Sequence, residues 1–419
     1  MSSSHPDQQR WHRPVAPPDS SAFESLRQRF PGAERTTYLN VAARGLLSLD
    51  VETALQHHLE ELRDGRADKD AYFAKVESVR GKFARLINAH PDEIAFTKNI
   101  SDGLNIVAGA IPWQPGDNVV LCTAAEHPNN IYPWLNLRTR LGVEIRTVRD
   151  SEGAIDIEAM IAAIDERTRL VTLSQVTFSP GLRVEIEPLG RACRENGSFL
   201  LLDGAQSVGL IDSDVQRLMI DGLAVSTQKG LLGLYGLGFL YCRREWAEVM
   251  APAALARFSV DLGEAGHHEA SVGGDEYVLM PGARRFDAGN YNYPAVHAVE
   301  PSLDMLLETG IPQVEAHVTG LARKLAEGLR LLGMQVSGDP SGSDLSNIVT
   351  TGQYVRNTHD VARDPEMKEL YQHLNDNGVR LTVRRGMLRF SAHIYNNEAD
   401  IDRVLDLIEN RSKSKLKNT

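Results

Sequence analysis

The chain has 419 residues, too many for one hydrophobic core, so at least two domains are expected. With 42% hydrophobic and 24% charged residues, its composition is that of a globular protein and excludes a collagen, a coiled coil or a largely disordered chain. A net charge of -11 disfavours nucleic acid or an anionic membrane as the main partner, and we expect neither.

Residues 1–20 are polar, contain four prolines and lack the apolar stretch of a signal peptide, which predicts a mobile N-terminal arm. The most apolar segment, 231–242, is too short to span a membrane. The cysteines are too few and too scattered for a disulfide framework or a zinc cluster; they are Cys122, Cys193 and Cys242. This usage favours a reducing compartment, so we predict a cytoplasmic protein.

From residue 21 onward, short apolar runs alternate with segments of helical period. The predicted strands are 94–96, 118–122, 143–148, 170–176, 199–203, 223–226 and 238–241. The predicted helices between them include 103–111, 157–164 and 189–195. This alternation predicts an α/β fold whose sheet is mostly parallel and covered on both faces.

After residue 281 the pattern changes to that of a second, smaller α+β domain. Its predicted helices are 295–308, 311–332 and 398–409, and its predicted strands are 335–337, 346–351 and 387–391. We therefore assign residues 37–285 to a large domain and residues 21–36 and 286–419 to the small domain.

Two of the predicted strands end in side chains of opposite charge. One ends in Asp203, and the next is followed by Ser-Thr-Gln-Lys at 226–229, with Lys229 last. Because ligands of an open α/β sheet bind at strand ends, this pair suits pyridoxal phosphate (PLP), a pyridine that carries an aldehyde. The lysine would form a Schiff base with the aldehyde, and the aspartate would keep the ring nitrogen protonated. The same pair also fits ordinary solvated strand ends.

Several further motifs occur in a fixed order along the chain. They are FTKNISDGLN at 96–105, EHPNNIYPW at 126–134, DGAQ at 203–206, STQK at 226–229, RRFDAGN at 284–290 and RFSAHIYNN at 389–397. Over about residues 38–407 this order resembles the class V aminotransferase family of PLP enzymes, which includes cysteine desulfurases, selenocysteine lyase and isopenicillin N epimerase-like proteins. The resemblance implies a fold type I PLP-dependent transferase with a large, mostly parallel-sheet domain that binds PLP and a smaller α+β domain.

The resemblance implies three catalytic residues. Lys229 matches the family lysine that holds the cofactor, Asp203 the aspartate on the ring nitrogen, and His127 the histidine that stacks over the ring. Gln206 matches a glutamine near the ring hydroxyl. A histidine at a strand end also fits ordinary packing, and only the flanking motif favours the stacking role of His127.

The cofactor phosphate requires backbone amides and a helix dipole, and the segment 96–105 offers a strand, a turn and a capped helix start. We therefore assign Asn99, Ile100 and Ser101 to the phosphate, and the same residues also fit a plain helix cap. The resemblance implies further cofactor contacts from Thr177, Ser226, Gln228 and Asn290.

Two of these positions depart from the family, since Gln228 replaces a histidine and Asn290 replaces a threonine. The family threonine reaches the phosphate of the neighbouring subunit. We therefore expect a homodimer with shared active sites.

The carboxylate of an amino-acid substrate calls for a guanidinium group that binds it through two hydrogen bonds. Arg389 matches the family arginine with this role, and an arginine on an apolar strand also fits a structural ion pair. Arg384 and Asn40 complete the substrate-binding residues that the resemblance implies.

Cysteine desulfurases of the family carry a reactive cysteine on a loop before the carboxylate-binding arginine. Here Val-Arg-Arg-Gly at 383–386 runs almost directly into Arg389, and no cysteine follows Cys242. Phe178 stands where desulfurases have asparagine and predicts a more apolar pocket. We therefore expect a β-eliminating carbon–sulfur lyase that acts on a cysteine-type substrate through an external aldimine. The alternative is an epimerase, aminotransferase or decarboxylating deaminase of the same family, and cysteine desulfurase ranks below these.

Two histidine pairs lie outside the motifs. His267 and His268 occur in a glycine-rich segment that predicts a loop, whereas His57 and His58 lie on a charged helical pattern that predicts a solvated face. We therefore expect no metal site.

A function of another class is also open: an inactive protein with the PLP fold that acts as a binding partner. The joint presence of Lys229, Asp203, His127 and Arg389 argues against this alternative.

Overall fold

The structure, a computed structural model, describes residues 20–263, 276–356, 358 and 360–417. The predicted arm lies outside these residues except at position 20, and so do His267 and His268. The helices are α1 (Ser20–Arg27), α2 (Pro31–Arg35), α3 (Leu49–Arg63), α4 (Lys69–Leu86), α5 (Ile100–Ala110), α6 (Tyr132–Leu141), α7 (Ile157–Ala162), α8 (Glu187–Asn196), α9 (Arg244–Val249), α10 (Tyr293–Thr309), α11 (Ile311–Leu331), α12 (Pro365–Asp376) and α13 (Glu398–Lys417). None of the described helices combines the length and apolarity needed to cross a membrane.

The strands are β1 (Thr37–Tyr38), β2 (Ile94–Thr97), β3 (Asn118–Leu121), β4 (Glu144–Thr147), β5 (Asp150–Ser151), β6 (Ala154–Ile155), β7 (Thr168–Ser174), β8 (Phe199–Asp203), β9 (Gly222–Ser226), β10 (Gly238–Cys242), β11 (Val260–Asp261), β12 (Val278–Leu279), β13 (Ile348–Thr351), β14 (Val379–Arg380), β15 (Thr382–Arg384) and β16 (Met387–Ser391).

A seven-stranded sheet forms the centre of the large domain, in the order β2-β10-β9-β8-β7-β3-β4. The neighbours from β9 to β4 are parallel, whereas β10 runs antiparallel to both β2 and β9. Every residue of β8, β9 and β10 is buried, which explains why these strands read as continuous apolar runs. The mostly parallel α/β sheet predicted from the sequence is therefore confirmed.

Short polar side chains define where three helices of this domain begin. Ser48, Asp68 and Asn99 cap α3, α4 and α5, and each accepts a hydrogen bond from a backbone N–H of the first turn. Asn99 follows the end of β2 by two residues. Because β2 and β9 are both antiparallel to β10, the start of α5 lies at the same sheet edge as the carboxyl end of β9.

The small domain contains a three-stranded antiparallel sheet in the order β13-β16-β15. Two residues join β15 to β16, Arg385 and Gly386, with φ angles of 49° and 85°. Positive φ at both positions is the geometry of a tight hairpin turn. The predicted strand 335–337 is wrong, because Val336 forms only an isolated bridge to Thr351 and the third strand of the sheet is β15 instead.

The packing of α10 bears on the domain boundary that the sequence places at residue 286. Buried side chains of α10, such as Leu303, share a hydrophobic core with large-domain strand residues such as Leu202. A separate core unites the second half of α11 with α12, α13 and the small sheet. The change in packing thus falls within α11, and the division of the chain into domains stays a prediction.

Candidate active site

The carboxyl ends of β8 and β9 hold the two oppositely charged residues found in the sequence. Asp203 ends β8 with only 4% of its surface exposed, and its carboxylate accepts a hydrogen bond from the Ala205 N–H at 2.9 Å. Lys229 follows the last residue of β9 by three positions. Because β8 and β9 are adjacent parallel strands, the two residues lie at one sheet edge, where ligands of α/β proteins bind.

Burial and nearby charged groups shift the pKa of the Lys229 amine. Burial, together with the guanidinium groups of Arg389 and Arg384, lowers the pKa of Lys229 to about 8, and Asp203 opposes this effect. Burial also raises the pKa of Asp203, and Lys229 counteracts that change. The structure therefore places three predicted site residues, Asp203, Arg384 and Arg389, around the amine of a fourth, Lys229, whose pKa is lowered as nucleophilic and proton-transfer roles require.

One buried acid of this region has no role assigned from the sequence. Glu126 is 1% exposed and accepts hydrogen bonds from the Ser174 N–H and hydroxyl, both at 2.7 Å, and from Asn130 Nδ2 at 2.9 Å. Burial and the nearby Asp203 carboxylate raise the pKa of Glu126 to about 7. Glu126 thus fixes the end of β7 beside Asp203, and its place directly before His127 in the motif is the signal in the sequence.

Phe178 connects several side chains of the site. Its ring meets the His127 ring edge-on, with centroids 5.3 Å apart, and the Arg385 guanidinium lies 4.8 Å from its centre. Its backbone carbonyl accepts a hydrogen bond from Arg389 at 2.6 Å. His127 Nδ1 accepts from the Asn129 N–H at 3.2 Å, which leaves the proton of the neutral ring on Nε2.

Arg389 lies on the central strand of the small sheet and is 2% exposed. Its Nη1 donates to the Phe178 carbonyl, and its Nε donates to Thr382 Oγ1 at 3.2 Å. Burial and the adjacent Arg384 lower the pKa of Arg389. Among the described residues no carboxylate forms an ion pair with Arg389, so the alternative of a structural ion pair is not supported. Arg384 does form one, with Asp360.

The segment that follows β1 passes directly over the lysine. Gly45 donates its N–H to the Gln228 carbonyl at 2.8 Å, and a Cβ at position 45 would lie 2.9 Å from the Lys229 carbonyl oxygen. Only glycine therefore permits this approach. Gln206 Nε2 donates to the Ala42 carbonyl at 3.0 Å, so the side chain assigned to the ring hydroxyl also anchors this segment.

Asn40 lies in the same segment and forms an isolated bridge with Ser391, two residues from Arg389. Its Oδ1 is buried and has no hydrogen-bond partner. A buried polar atom without a partner is costly, which favours a ligand at this position.

The start of α5 meets the end of β9 at the residues assigned to phosphate. The Ile100 N–H donates to Ser226 Oγ at 2.8 Å, and Asn99 Oδ1 accepts from the Asp102 N–H at 3.1 Å. Ser101 lies in the first turn of α5. A phosphate here would share or replace the present partners of Ile100 and Asn99.

Asn290 and Asn99 line one cavity of about 990 Å³. Both residues belong to the same chain, so Asn290 lies beside the predicted phosphate region without any second subunit. The shared active site of a homodimer stays a prediction.

Thr177 uses its side-chain oxygen within the chain. Thr177 Oγ1 accepts hydrogen bonds from the N–H groups of Gly181 and Leu182, at 3.1 and 3.0 Å. The side chain thereby shapes the turn that carries Phe178, and its direct contact with a cofactor stays a prediction.

His393 is a site residue with no role assigned from the sequence, although it lies in the RFSAHIYNN motif. Its Nδ1 accepts from the Ile394 N–H at 2.7 Å, so the neutral ring carries its proton on Nε2 and donates to the Gly230 carbonyl at 2.9 Å. Burial lowers the pKa of His393 to about 4. The ring thereby ties the small domain to the peptide that follows Lys229.

All three cysteines have no exposed surface, and burial raises the pKa of each thiol. The two-residue turn at 385–386 occupies the place where desulfurases of the family carry their cysteine loop. The described chain therefore presents no accessible thiolate next to Lys229.

The family model described as aminotransferase class-V matches residues 37–404. A probable cysteine desulfurase of Methanothermobacter thermautotrophicus is 31% identical over 410 residues, covering 92% of this chain and 97% of that protein. An uncharacterized aminotransferase of Bacillus subtilis is 26% identical over 385 residues, with coverage of 92% and 97%.

Solved structures share the fold. The apo structure of cysteine desulfurase from Thermococcus onnurineus has a TM-score of 0.81 and 25% identity, and the match covers 93% of this chain and 98% of that one. The cystine C–S lyase C-DES, solved with its reaction product cysteine persulfide, has a TM-score of 0.79 and 22% identity, with coverage of 90% and 98%. These likenesses confirm the expected fold.

Proposed function

Because the chain belongs to the class V aminotransferase family of PLP enzymes, we propose that it is a PLP-dependent lyase that breaks a carbon–sulfur bond in a cysteine-type amino acid. The observation that carries the proposal is the short turn at 385–386, next to an active site whose cysteines are all buried. A persulfide relay requires an accessible thiolate, whereas β-elimination requires none.

The residues at the strand ends fit the cofactor. Lys229, whose pKa is lowered, would hold the aldehyde of the cofactor. The buried carboxylate of Asp203 would hold the ring nitrogen, and Asn99, at a helix start beside a cavity, would hold the phosphate. His127 would face the ring. When bound there, PLP supplies an aldehyde that captures the substrate amine and a pyridine ring that withdraws electrons from the substrate.

The protein groups divide the remaining work. The Arg389 guanidinium, buried without a carboxylate partner among the described residues, binds the carboxylate of the substrate, and Asn40, which bridges to Ser391 two residues away, adds a side-chain amide to this region. Lys229 Nζ then takes the proton from Cα. As the proton leaves, the Cβ–S bond breaks and its electron pair stays on sulfur, which departs as a thiolate and takes up the proton held by Lys229 Nζ. Water converts the remaining three-carbon unit to pyruvate and ammonia.

A second candidate is cysteine desulfurase, because relatives and solved structures carry that name. This reaction requires an enzyme thiolate that attacks the substrate sulfur. The buried state and raised pKa of Cys122, Cys193 and Cys242 speak against it. Epimerase, aminotransferase and decarboxylating deaminase share the same binding groups and differ in which bond at Cα breaks and where the proton returns.

The test incubates the purified PLP enzyme with cystine, S-substituted cysteines, cysteine and ordinary amino acids, and measures pyruvate, ammonia and the released sulfur compound. This compound is a thiol from S-substituted cysteines, cysteine persulfide from cystine and hydrogen sulfide from cysteine. We expect the three products in equal amounts from a cysteine-type substrate, and none from the Lys229→Ala variant. Solvent deuterium at Cα with an intact side chain would instead indicate an epimerase. A persulfide trapped on a protein cysteine would indicate a desulfurase and overturn the proposal.

We also propose a homodimer with shared active sites, because Asn290 stands at the position whose family counterpart reaches the phosphate of the neighbouring subunit. Light scattering of the purified enzyme tests it, and a monomer that is fully active would contradict it.

A further inference from the structure

Three helices of the large domain, α3, α4 and α10, enclose a histidine cluster away from the strand ends. His58 and Glu61 are three positions apart on α3 and thus share a face, and His297 lies on α10. His58 is 1% exposed and His297 is 6% exposed. The solvated face expected for the histidine pair is correct for His57, whose side chain is 64% exposed, and wrong for His58, because α10 covers it.

The buried polar atoms of this cluster have no partners. The two imidazole rings stack with centroids 4.2 Å apart, and the Tyr72 ring lies within about 5.3 Å of both. Four atoms are buried without a hydrogen bond from the part of the chain that the structure describes: His58 Nδ1, His297 Nε2, Glu61 Oε2 and the Tyr72 hydroxyl. Buried polar atoms are nearly always paired, so four unpaired atoms in one cluster point to a missing ligand that several of them share.

The ring nitrogens of the cluster suit a cation. A neutral imidazole offers one lone pair on a ring nitrogen, and the ring nitrogens that lack a partner among the described residues are His58 Nδ1 and His297 Nε2. Lys75 lines the same cavity as Glu61 and His297, and its ammonium group is paired with Glu300.

We propose that His58, Glu61 and His297 bind a divalent transition-metal ion of the zinc type. One ligand atom from each of the three residues lies within 4.8 Å of the others. Metal–nitrogen bonds of about 2.0–2.1 Å require these atoms to move together by about 1 Å. A water molecule completes a four-coordinate site, and the Tyr72 hydroxyl is placed to hydrogen-bond it.

The surroundings allow such an ion to enter. Glu61 and His297 line a cavity of about 510 Å³ that runs along α3, and Asp50, which is paired with Arg29, also lines it. Glu61 Oε1 lies 3.4 Å from His57, so the second oxygen, Oε2, is the one left for a metal. The bound ion would link α3 to α10, two helices otherwise held by packing. The site would therefore stabilise the fold.

The experiment uses the full-length enzyme with PLP bound, dialysed against a chelator and then titrated with zinc ions. Bound zinc is measured by mass spectrometry of the metal, and Tm is measured with and without it. We expect one zinc per chain and a rise in Tm. The Glu61→Gln and His297→Gln variants should each bind zinc at least about tenfold more weakly, whereas the matched Glu52→Gln variant, at an exposed position of the same helix, should bind it as the parent does.

Circular dichroism and the visible absorbance of the cofactor show whether each variant is folded. If His297→Gln does not fold, Glu61→Gln decides the test alone, since its side chain is partly exposed and nearly isosteric. Failure of the parent enzyme to bind zinc overturns the proposal. Equal binding by Glu61→Gln and the parent also overturns it, because the ion then lies elsewhere, for example on PLP. Neither result affects the proposed lyase activity, which is measured separately.

Discussion

Replacing Asp203 with asparagine tests the electrostatic account of the active site. In the cofactor-free protein the pKa of Lys229 is about 8 and its ordinary value is 10.5, a net cost to the charged amine. Each unit of pKa corresponds to about 1.4 kcal/mol. The folded structure therefore costs the charged form of Lys229 at most about 3 kcal/mol, since part of this side chain is exposed. Asp203 raises the pKa of Lys229. Its loss should therefore lower that pKa further, by about 1 or more.

The assay labels the cofactor-free protein with an amine-acylating reagent across roughly pH 6 to 11 and follows the peptide that carries Lys229 by mass spectrometry. Lys98, which is exposed, gives the reference for reagent reactivity in the same sample. We expect half-maximal labelling of Lys229 near pH 8 in the parent and at lower pH in Asp203→Asn. A midpoint near pH 10 in the parent, or an unchanged midpoint in the variant, would refute the reasoning.

The same pKa predicts how stability depends on pH. The folded value for Lys229 lies below the unfolded one, so the unfolded chain binds the extra proton between about pH 8 and 10.5. The cost of the buried charge is full below pH 8 and disappears as pH rises through this window. In urea unfolding of the cofactor-free protein, the parent should gain up to about 3 kcal/mol over this window relative to Lys229→Met.

Three further predictions concern the substrate, the core and the thiols. Arg389→Lys should lower kcat/KM about 100-fold, mainly through KM, because the lysine cannot form the paired hydrogen bonds to a carboxylate; an unchanged KM with an intact cofactor spectrum would contradict this. Arg80→Met leaves the buried Asp287 carboxylate, 2.8 Å from the guanidinium, without its cation and should lower the free energy of unfolding by about 3–5 kcal/mol. The control Arg63→Met removes an exposed pair and should change the free energy of unfolding far less in the same urea titration. Replacing each cysteine with alanine should leave turnover largely intact, and loss of activity in any one variant at normal yield would assign that thiol a role.

The sequence by itself determined the central sheet and the residues at its strand ends. Strands such as β8 and β9 are buried along their whole length, so their apolar runs are visible without knowledge of their neighbours. Asp203 and Lys229 directly follow these runs, and consecutive parallel strands place such residues at one edge. The absence of a loop before Arg389 is equally a matter of local spacing, which the two-residue turn confirms.

Only the tertiary structure decided features that depend on contacts between distant segments. The burial of His58 is set by α10, more than 230 residues away along the chain, and a charged helical pattern gives no sign of it. The role of Glu126 follows from its contact with Ser174, on a strand whose position in the sheet is not encoded locally. The segment 335–337 has strand composition but no partner strand along its length, and ladder pairing is what makes a strand. In each case the outcome depends on burial or hydrogen bonding between helices and strands that are distant in the sequence, and the local sequence pattern carries no information about these contacts.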